Sequence, residues 1–526
     1  MKIPDDHFHG MKAHSCCPSA DQNNPVANNG LSRRKFIKVT GGTTLSVMAL
    51  SGLSWRALAG AYTGDESRSF VRRALSVKPI LVYDLPEYKP QTSWRSWGGI
   101  HSEKAADEEI ARIKGELDNL QFQADFPIQI LPVSAIRGAG DVGMLGDLAS
   151  ADVFLVYAAG GWMDTFDALQ KMNKHMIFFC RHKSGPVYLW YEIISPRYLR
   201  QHTDRLALSG IDEQDVVIDS QDEILWRLRA LCGLKNTLNT GIIAVGGAGA
   251  WSQPDEVVQG LVGEKFRFDI RTLSYDELGN LIREARKDSS AFSHAQKRAQ
   301  EYLLDSGLSL ETGRKFVDNC FLLDEVFRKI MENAQCHAIT INGCMGTIMP
   351  LAETSACLTL SLLNDAGYLA FCESDFVVIP AGVLLANISG KPVFLNDPTY
   401  PHDGIITLAH CTAPRKMNGR DKEPARILTH FESDYGAAPK VEMQTGQVVT
   451  NIIPDFLVSH YIGLKGTIVD HPFMDICRSQ IDVGFEADST VLAKRMQGFH
   501  WMTGYGDYMK ETGYALKRIG IEWEEL

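Results

Sequence analysis

The stretch Gly241-Ile242-Ile243-Ala244-Val245-Gly246-Gly247-Ala248-Gly249 sets the architecture. Its first five residues are almost wholly apolar and of strand length, and the glycines behind them close the strand in a tight turn. A helical stretch then leads to a second apolar run at residues 266–270, so the unit reads strand, turn, helix, strand and predicts parallel pairing. The same grammar extends upstream, where residues 79–83, 152–158 and 175–180 are apolar runs of strand length and residues 106–120 and 222–234 have helical spacing. Downstream, helical patterns fill residues 275–333, and residues 338–342 read as another buried strand. From about residue 400 the period changes to two, in runs at 405–409, 427–431, 448–453 and 480–485 separated by Gly, Pro, Asn and Asp. The expected fold class is therefore α/β. Two Rossmann-like domains with parallel sheets, residues 77–236 and 237–390, precede a β-rich antiparallel barrel domain, residues 391–526.

The N-terminus reads differently. Ser32-Arg33-Arg34-Lys35-Phe36-Ile37-Lys38 is followed by a mildly apolar stretch and by Ala57-Leu58-Ala59, the order of parts in a twin-arginine export signal. The apolar part is about 15 residues long, short of the roughly 20 that span a bilayer, so cleavage is expected rather than a membrane anchor. Residues 1–59 are thus assigned to a leader, with passage through the Tat translocase and a periplasmic location expected. The 526 residues carry a formal net charge of -11, which removes the basic surface that nucleic-acid binding needs. Cys16 and Cys17 lie in the leader, and the other nine of the eleven cysteines are an odd number that cannot all pair.

Three places carry candidate chemistry. The turn Gly247-x-Gly249 follows a strand, and Asp269 stands 20 residues beyond Gly249, as in a dinucleotide site; Ser252 at the third glycine position and Pro254 favour a structural turn. An exported NAD(P)-dependent sugar oxidoreductase is the alternative that this turn keeps open. The richest stretch is Ala370-Phe371-Cys372-Glu373-Ser374-Asp375, which puts two carboxylates at the carboxyl end of an apolar strand, where open α/β sheets place ligands. Asp397 ends the next apolar run. Asp375 reads equally as a helix N-cap, but Glu373 has no such structural duty and is costly to bury alone. The third place is Gly498-Phe499-His500-Trp501. A Glu/Asp/His set with open positions suits Mn²⁺ or Mg²⁺ better than zinc. His410-Cys411 ends a strand nearby, with packing as its first reading, and Trp501, Tyr505 and Tyr400 are aromatic candidates for stacking on a sugar.

Cys372-Glu373-x-Asp375, Ser389-Gly390-Lys391-Pro392-Val393-Phe394-x-x-Asp397, His410-Cys411 and His500 ahead of Gly506-Asp507 together resemble the C-terminal half of the L-fucose isomerase-like sugar isomerases. The resemblance implies two α/β domains followed by a barrel. It implies Mn²⁺ bound through a Glu, an Asp 24 residues later and a distant His, positions held by Glu373, Asp397 and His500. It also implies aldose-ketose isomerisation through an ene-diol, with Glu373 and Asp397 moving the protons and Asp375 and His410 supporting the ligands. A homo-oligomer is implied by the resemblance alone. A non-catalytic periplasmic sugar-binding protein on the same domains is the third reading, which would not need the metal positions.

Overall fold

A computed structural model of the chain describes residues 48–50, 52–59, 72–161, 163–188, 198–199, 211–251 and 254–526. The arginine pair of the leader and Ser252 lie outside the described residues. The chain divides into two units, one of residues 71–237 with 508–522, the other of residues 1–70, 238–507 and 523–526.

In the first unit the strands β1 (Leu75–Val82), β2 (Ile128–Ile130), β3 (Val153–Ala158), β4 (His175–Cys180) and β5 (Val216–Ile218) form one parallel sheet in the order β2-β1-β3-β4-β5. β3 is buried along its whole length, which explains its unbroken apolar sequence. Helix α1 (Gln221–Thr237) closes the unit, and the C-terminal residues 508–522 join it rather than the barrel. Tyr514 Oη donates to buried Asp215 at 2.6 Å, and Arg518 pairs with the same carboxylate.

The second unit contains β6 (Gly241–Val245), β7 (Asp269–Leu273), β8 (Ala338–Ile341) and β9 (Leu369–Cys372), parallel in the order β7-β6-β8-β9. The strand expected at 266–270 begins later, because the preceding helix runs to Phe266 and ends on Arg267 in the left-handed conformation, φ 57°. Residues 48–49 add a short parallel strand beside β7. Trp55 and Leu58, at the end of the expected leader, are buried in this unit's core. Trp55 donates its backbone N–H to Glu284 and its Nε1–H to Asp288, at 2.8 and 2.9 Å.

Helix α2 (Cys357–Asp365) precedes β9, and helix α3 (Ile379–Ser389) follows it. The barrel strands are β10 (Phe394–Pro398), β11 (Ile405–His410), β12 (Val448–Pro454), β13 (His460–Asp470), β14 (Ser479–Gly484) and β15 (Trp501–Tyr505). They pair antiparallel in the circle β12-β15-β10-β11-β14-β13-β12, a closed six-stranded barrel without free edges. No packing gap marks the expected boundary at residue 390, because α3 is apolar on all sides and is buried from Ile379 to Ile388. A Cβ on Gly382 would lie 2.8 Å from Phe371 of β9 and 2.4 Å from Met502 of β15. Sheet and barrel share this one helix as a wall.

Candidate metal centre

Glu373 and Ser374 leave β9 with φ of 67° and 46°, two successive non-glycine residues in the left-handed region. Such a conformation costs on the order of 1–2 kcal/mol per residue and persists where the surroundings enforce it, commonly at ligand sites. Here the glycine-rich turn enforces it. Gly249 N–H donates to the Ser374 carbonyl and the Gly249 carbonyl accepts from Phe376 N–H, each at 3.0 Å. Ser374 N–H donates to Thr340 Oγ1 of β8 at 3.1 Å. A Cβ at position 249 would lie 3.3 Å from Asn342 Nδ2 and 3.6 Å from the Ser374 carbonyl, so the approach is close. The turn therefore clasps the acidic loop. The dinucleotide pattern fails on Asp269, which opens β7 beside Gly241, at the edge of the sheet away from the turn, and pairs with Arg271 at 2.7 Å. A ribose-binding acid belongs at the carboxyl end of that strand.

The clasp delivers Glu373 to a buried cluster with His410 at the end of β11, His500 just before β15 and Asp397 in β10. Glu373, His410 and His500 are all buried, and one donor atom from each lies within 4.8 Å of the others, a group that could hold a metal ion. Glu373 Oε1 is 3.5 Å from His410 Nε2, and Glu373 Oε2 is 3.2 Å from His500 Nε2. Asp397 Oδ1 lies 3.3 Å from His500 Nε2. Asp397 belongs to the wall of the site, outside the mutually close trio, and keeps 24% of its side chain exposed.

The outer nitrogens explain how the imidazoles are aimed. His500 Nδ1 faces Asp375 Oδ2 at 2.7 Å, which holds the ring so that Nε2 is aimed at the cluster. His410 Nδ1 is engaged by Thr412 Oγ1 at 2.9 Å, which likewise turns Nε2 inward. His410 Nε2, His500 Nε2 and Asp397 Oδ1 are buried, and none is in hydrogen-bond geometry. Buried polar atoms are normally satisfied, so these inward-facing donor atoms form a group that could hold a cation.

The charge balance agrees. Burial pushes the Glu373 carboxyl up, but the neighbouring His410 and His500 outweigh it and hold the group at about 2. Burial pushes Asp397 up to about 6 against the attraction of the two histidines, with the Glu373 charge adding to the rise. Burial opposes charge on His500, yet Asp375, Glu373 and Asp397 together draw its titration well above the usual value. The carboxylates raise the titration of both His410 and His500, so positive charge is favoured at this point, from the imidazoles or from a cation that the group could hold.

Asp375 is not the helix cap. The cap position is held by Val378, three residues later, and the helix starts at Ile379; Asp375 accepts from Val377 N–H at 3.1 Å while orienting His500. Trp501 and Tyr505 belong to the barrel core, and Tyr400 is 75% exposed, so these aromatics do not wall the cluster. Trp251 and Phe499 do. Their rings stack at 4.3 Å and 8°, and both meet His500 edge to face, at 5.5 and 4.8 Å. Trp251 stands two residues beyond the glycine clasp, a proximity that its sequence position alone does not reveal. No protein-family model matches the chain, and no curated protein matches it.

Proposed function

We propose that the chain is a metal-dependent sugar isomerase that interconverts an aldose and a ketose. The observation that carries this reading is the convergence of Glu373, His410 and His500, with Asp397 alongside, at the carboxyl edge of a parallel sheet. Two imidazoles and two carboxylates make a mixed nitrogen and oxygen set, which fits Mn²⁺ better than Mg²⁺, an ion that prefers oxygen alone. A divalent ion held there would polarise the sugar's carbonyl and so acidify the C–H of the neighbouring hydroxyl-bearing carbon.

The chain's own residues supply the rest. Glu373 is buried, lies beside two imidazoles, and is suited to fix position. Asp397 is the carboxylate with a solvent-facing side, so its oxygens are placed to take the proton from one carbon and return it to the next, a transfer worth typically 10²- to 10⁴-fold. Asp375 holds the His500 ring in place. Trp251 and Phe499 offer a flat apolar wall for the C–H face of a sugar. The likeness of the motifs to L-fucose isomerase-like enzymes supports the same chemistry, and a homo-oligomer follows from that likeness. The twin-arginine motif supports export through the Tat translocase to the periplasm.

The test is a screen of aldoses and ketoses with Mn²⁺ for interconversion, beside metal analysis of the purified protein. Activity that disappears on chelation, returns with Mn²⁺ and is absent from Glu373→Gln supports the reading. Equal metal content in wild type and Glu373→Gln, with neither turning over any sugar, contradicts it.

A further inference from the structure

A cavity of about 350 Å³, within the size range of small-molecule sites, lies apart from the candidate metal centre. Its walls come from four elements of the unit of residues 238–507: the helices Ser289–Leu303 and Arg314–Asn333, the last turn of α2, and the loop that follows β11. Asp365 closes α2 just ahead of β9, whereas Glu373 directly follows that strand. The cavity therefore sits at the amino end of β9 and the candidate metal centre at its carboxyl end.

The lining is rich in cations. Arg298, Arg328, Lys416 and Lys422 face the carboxylates of Glu301 and Asp365. Arg298 and Arg328 each stand 2.8 Å from Oδ2 of the fully buried Asp324. One carboxylate thus fixes two guanidiniums and leaves a positive charge over. Neither lysine is in an ion pair among the described residues, and the Lys422 ammonium lies 5.7 Å from the centre of the Tyr302 ring. Arg415, 5.6 Å from the same ring, is matched by Asp305 at 3.1 Å. Tyr302, Phe321 and Leu362 supply the apolar part of the wall. With Asp324 included, four cations meet three carboxylates. Burial pushes the Asp365 carboxyl up to about 6, so an anion beside it readily shifts it to the neutral acid. Four cations then meet two carboxylates, a surplus that matches a dianion.

We propose that this cavity is a second ligand site, for a small polar molecule that carries a phosphate monoester. Guanidinium and ammonium groups recognise phosphate by its charge and its several oxygens. A phosphate monoester carries about 1.5 to 2 negative charges at neutral pH, which the surplus on the walls balances. A monocarboxylate leaves part of that surplus unmatched, and a neutral sugar leaves all of it. The apolar part of the wall suits the carbon skeleton to which the phosphate is attached. The cavity shares no residue with Glu373, Asp397, His410 or His500, so the inference does not rest on the proposed activity.

The experiment titrates the full-length protein calorimetrically with glucose 6-phosphate, inorganic phosphate, glucuronate and glucose. Glucose 6-phosphate should bind most tightly, inorganic phosphate and glucuronate at least about 10-fold more weakly, and glucose least of all. The double variant Lys416→Gln, Lys422→Gln should lose at least about 10-fold in affinity for glucose 6-phosphate, while Glu373→Gln binds it as wild type does. Lys422→Gln alone changes an exposed side chain and should weaken binding in the same direction, which decides the matter if the double variant unfolds at lower denaturant than wild type. No binding of glucose 6-phosphate, equal binding of glucuronate or inorganic phosphate, or affinity that survives the lysine changes overturns the proposal. Affinity lost in Glu373→Gln instead places the ligand at the other site and overturns it as well.

Discussion

Asp375 touches no proposed ligand position except through His500, and its effect is therefore separable from that of the ligands. Asp375→Asn keeps the size but removes the charge that holds the His500 ring. Mn²⁺ affinity is expected to fall about 10- to 100-fold, the usual range for such supporting carboxylates, in a calorimetric titration. His410→Ala should cost more, since it removes a member of the trio itself. If His410→Ala binds Mn²⁺ as wild type does, the histidine is packing alone. A residue of the other unit sets a pH response. His175 at the head of β4 is held down to about 4, first by burial and then by the Arg518 charge. The unfolded chain takes up this proton near 6.5 while the folded one refuses it, so the contribution to stability is complete above about 6.5 and fades as pH falls toward 4. Urea unfolding at pH 7 and pH 5 should show wild type losing more stability than His175→Gln; equal losses would remove His175 from the account.

At the scale of elements, α3 is the part on which both halves of the site lean. Gly382→Val would press on Phe371, two residues before Glu373, and on Met502, two residues after His500. Overpacking of this kind costs typically 1–3 kcal/mol. Both denaturant midpoint and Mn²⁺ affinity should fall, whereas a loss of stability with unchanged affinity would show that the helix does not position the ligands. The strands at 175–180 and 241–245 were legible because burial on both faces leaves an unbroken apolar run. The strand after Phe266 was not, because the apolar Phe266 and Phe268 belong to a helix end and its exit, and only the left-handed Arg267 sets the boundary. Glu373, Asp397 and His500 were legible as polar residues closing apolar runs. His410 is less legible, because at a strand end the sequence does not say whether His410 or Cys411 faces inward; the structure sets His410 Nε2 3.5 Å from Glu373. Trp55 is a further case: its packing on Glu284, Asp288 and the Lys329 ammonium, 4.1 Å from the ring, was invisible in a segment that reads as a leader. In a chain that retains residues 48–59, Trp55→Ala should lower stability by about 3–5 kcal/mol, the range for a buried tryptophan, by denaturant titration.

The described fold follows from two sequence grammars, buried parallel strands and alternating barrel strands. The two sheets and the closed barrel give the fold, and the centre lies wholly in the unit of residues 238–507. Metal should therefore stabilise that unit. Ion at 100 times its Kd adds about 2.7 kcal/mol, so scanning calorimetry should show a transition that moves up with Mn²⁺ and returns with chelator. A scan indifferent to Mn²⁺ would deny the unit a metal. The most direct test of the central claim is proton exchange at carbon. The Mn²⁺-loaded protein is incubated in D₂O with a panel of aldoses and ketoses and followed by NMR. Deuterium entering at the carbon next to the carbonyl, with wild type but not with Glu373→Gln or Asp397→Asn, is the predicted result. Metal-loaded wild type that exchanges no proton on any sugar, or variants that exchange as fast as wild type, would contradict it.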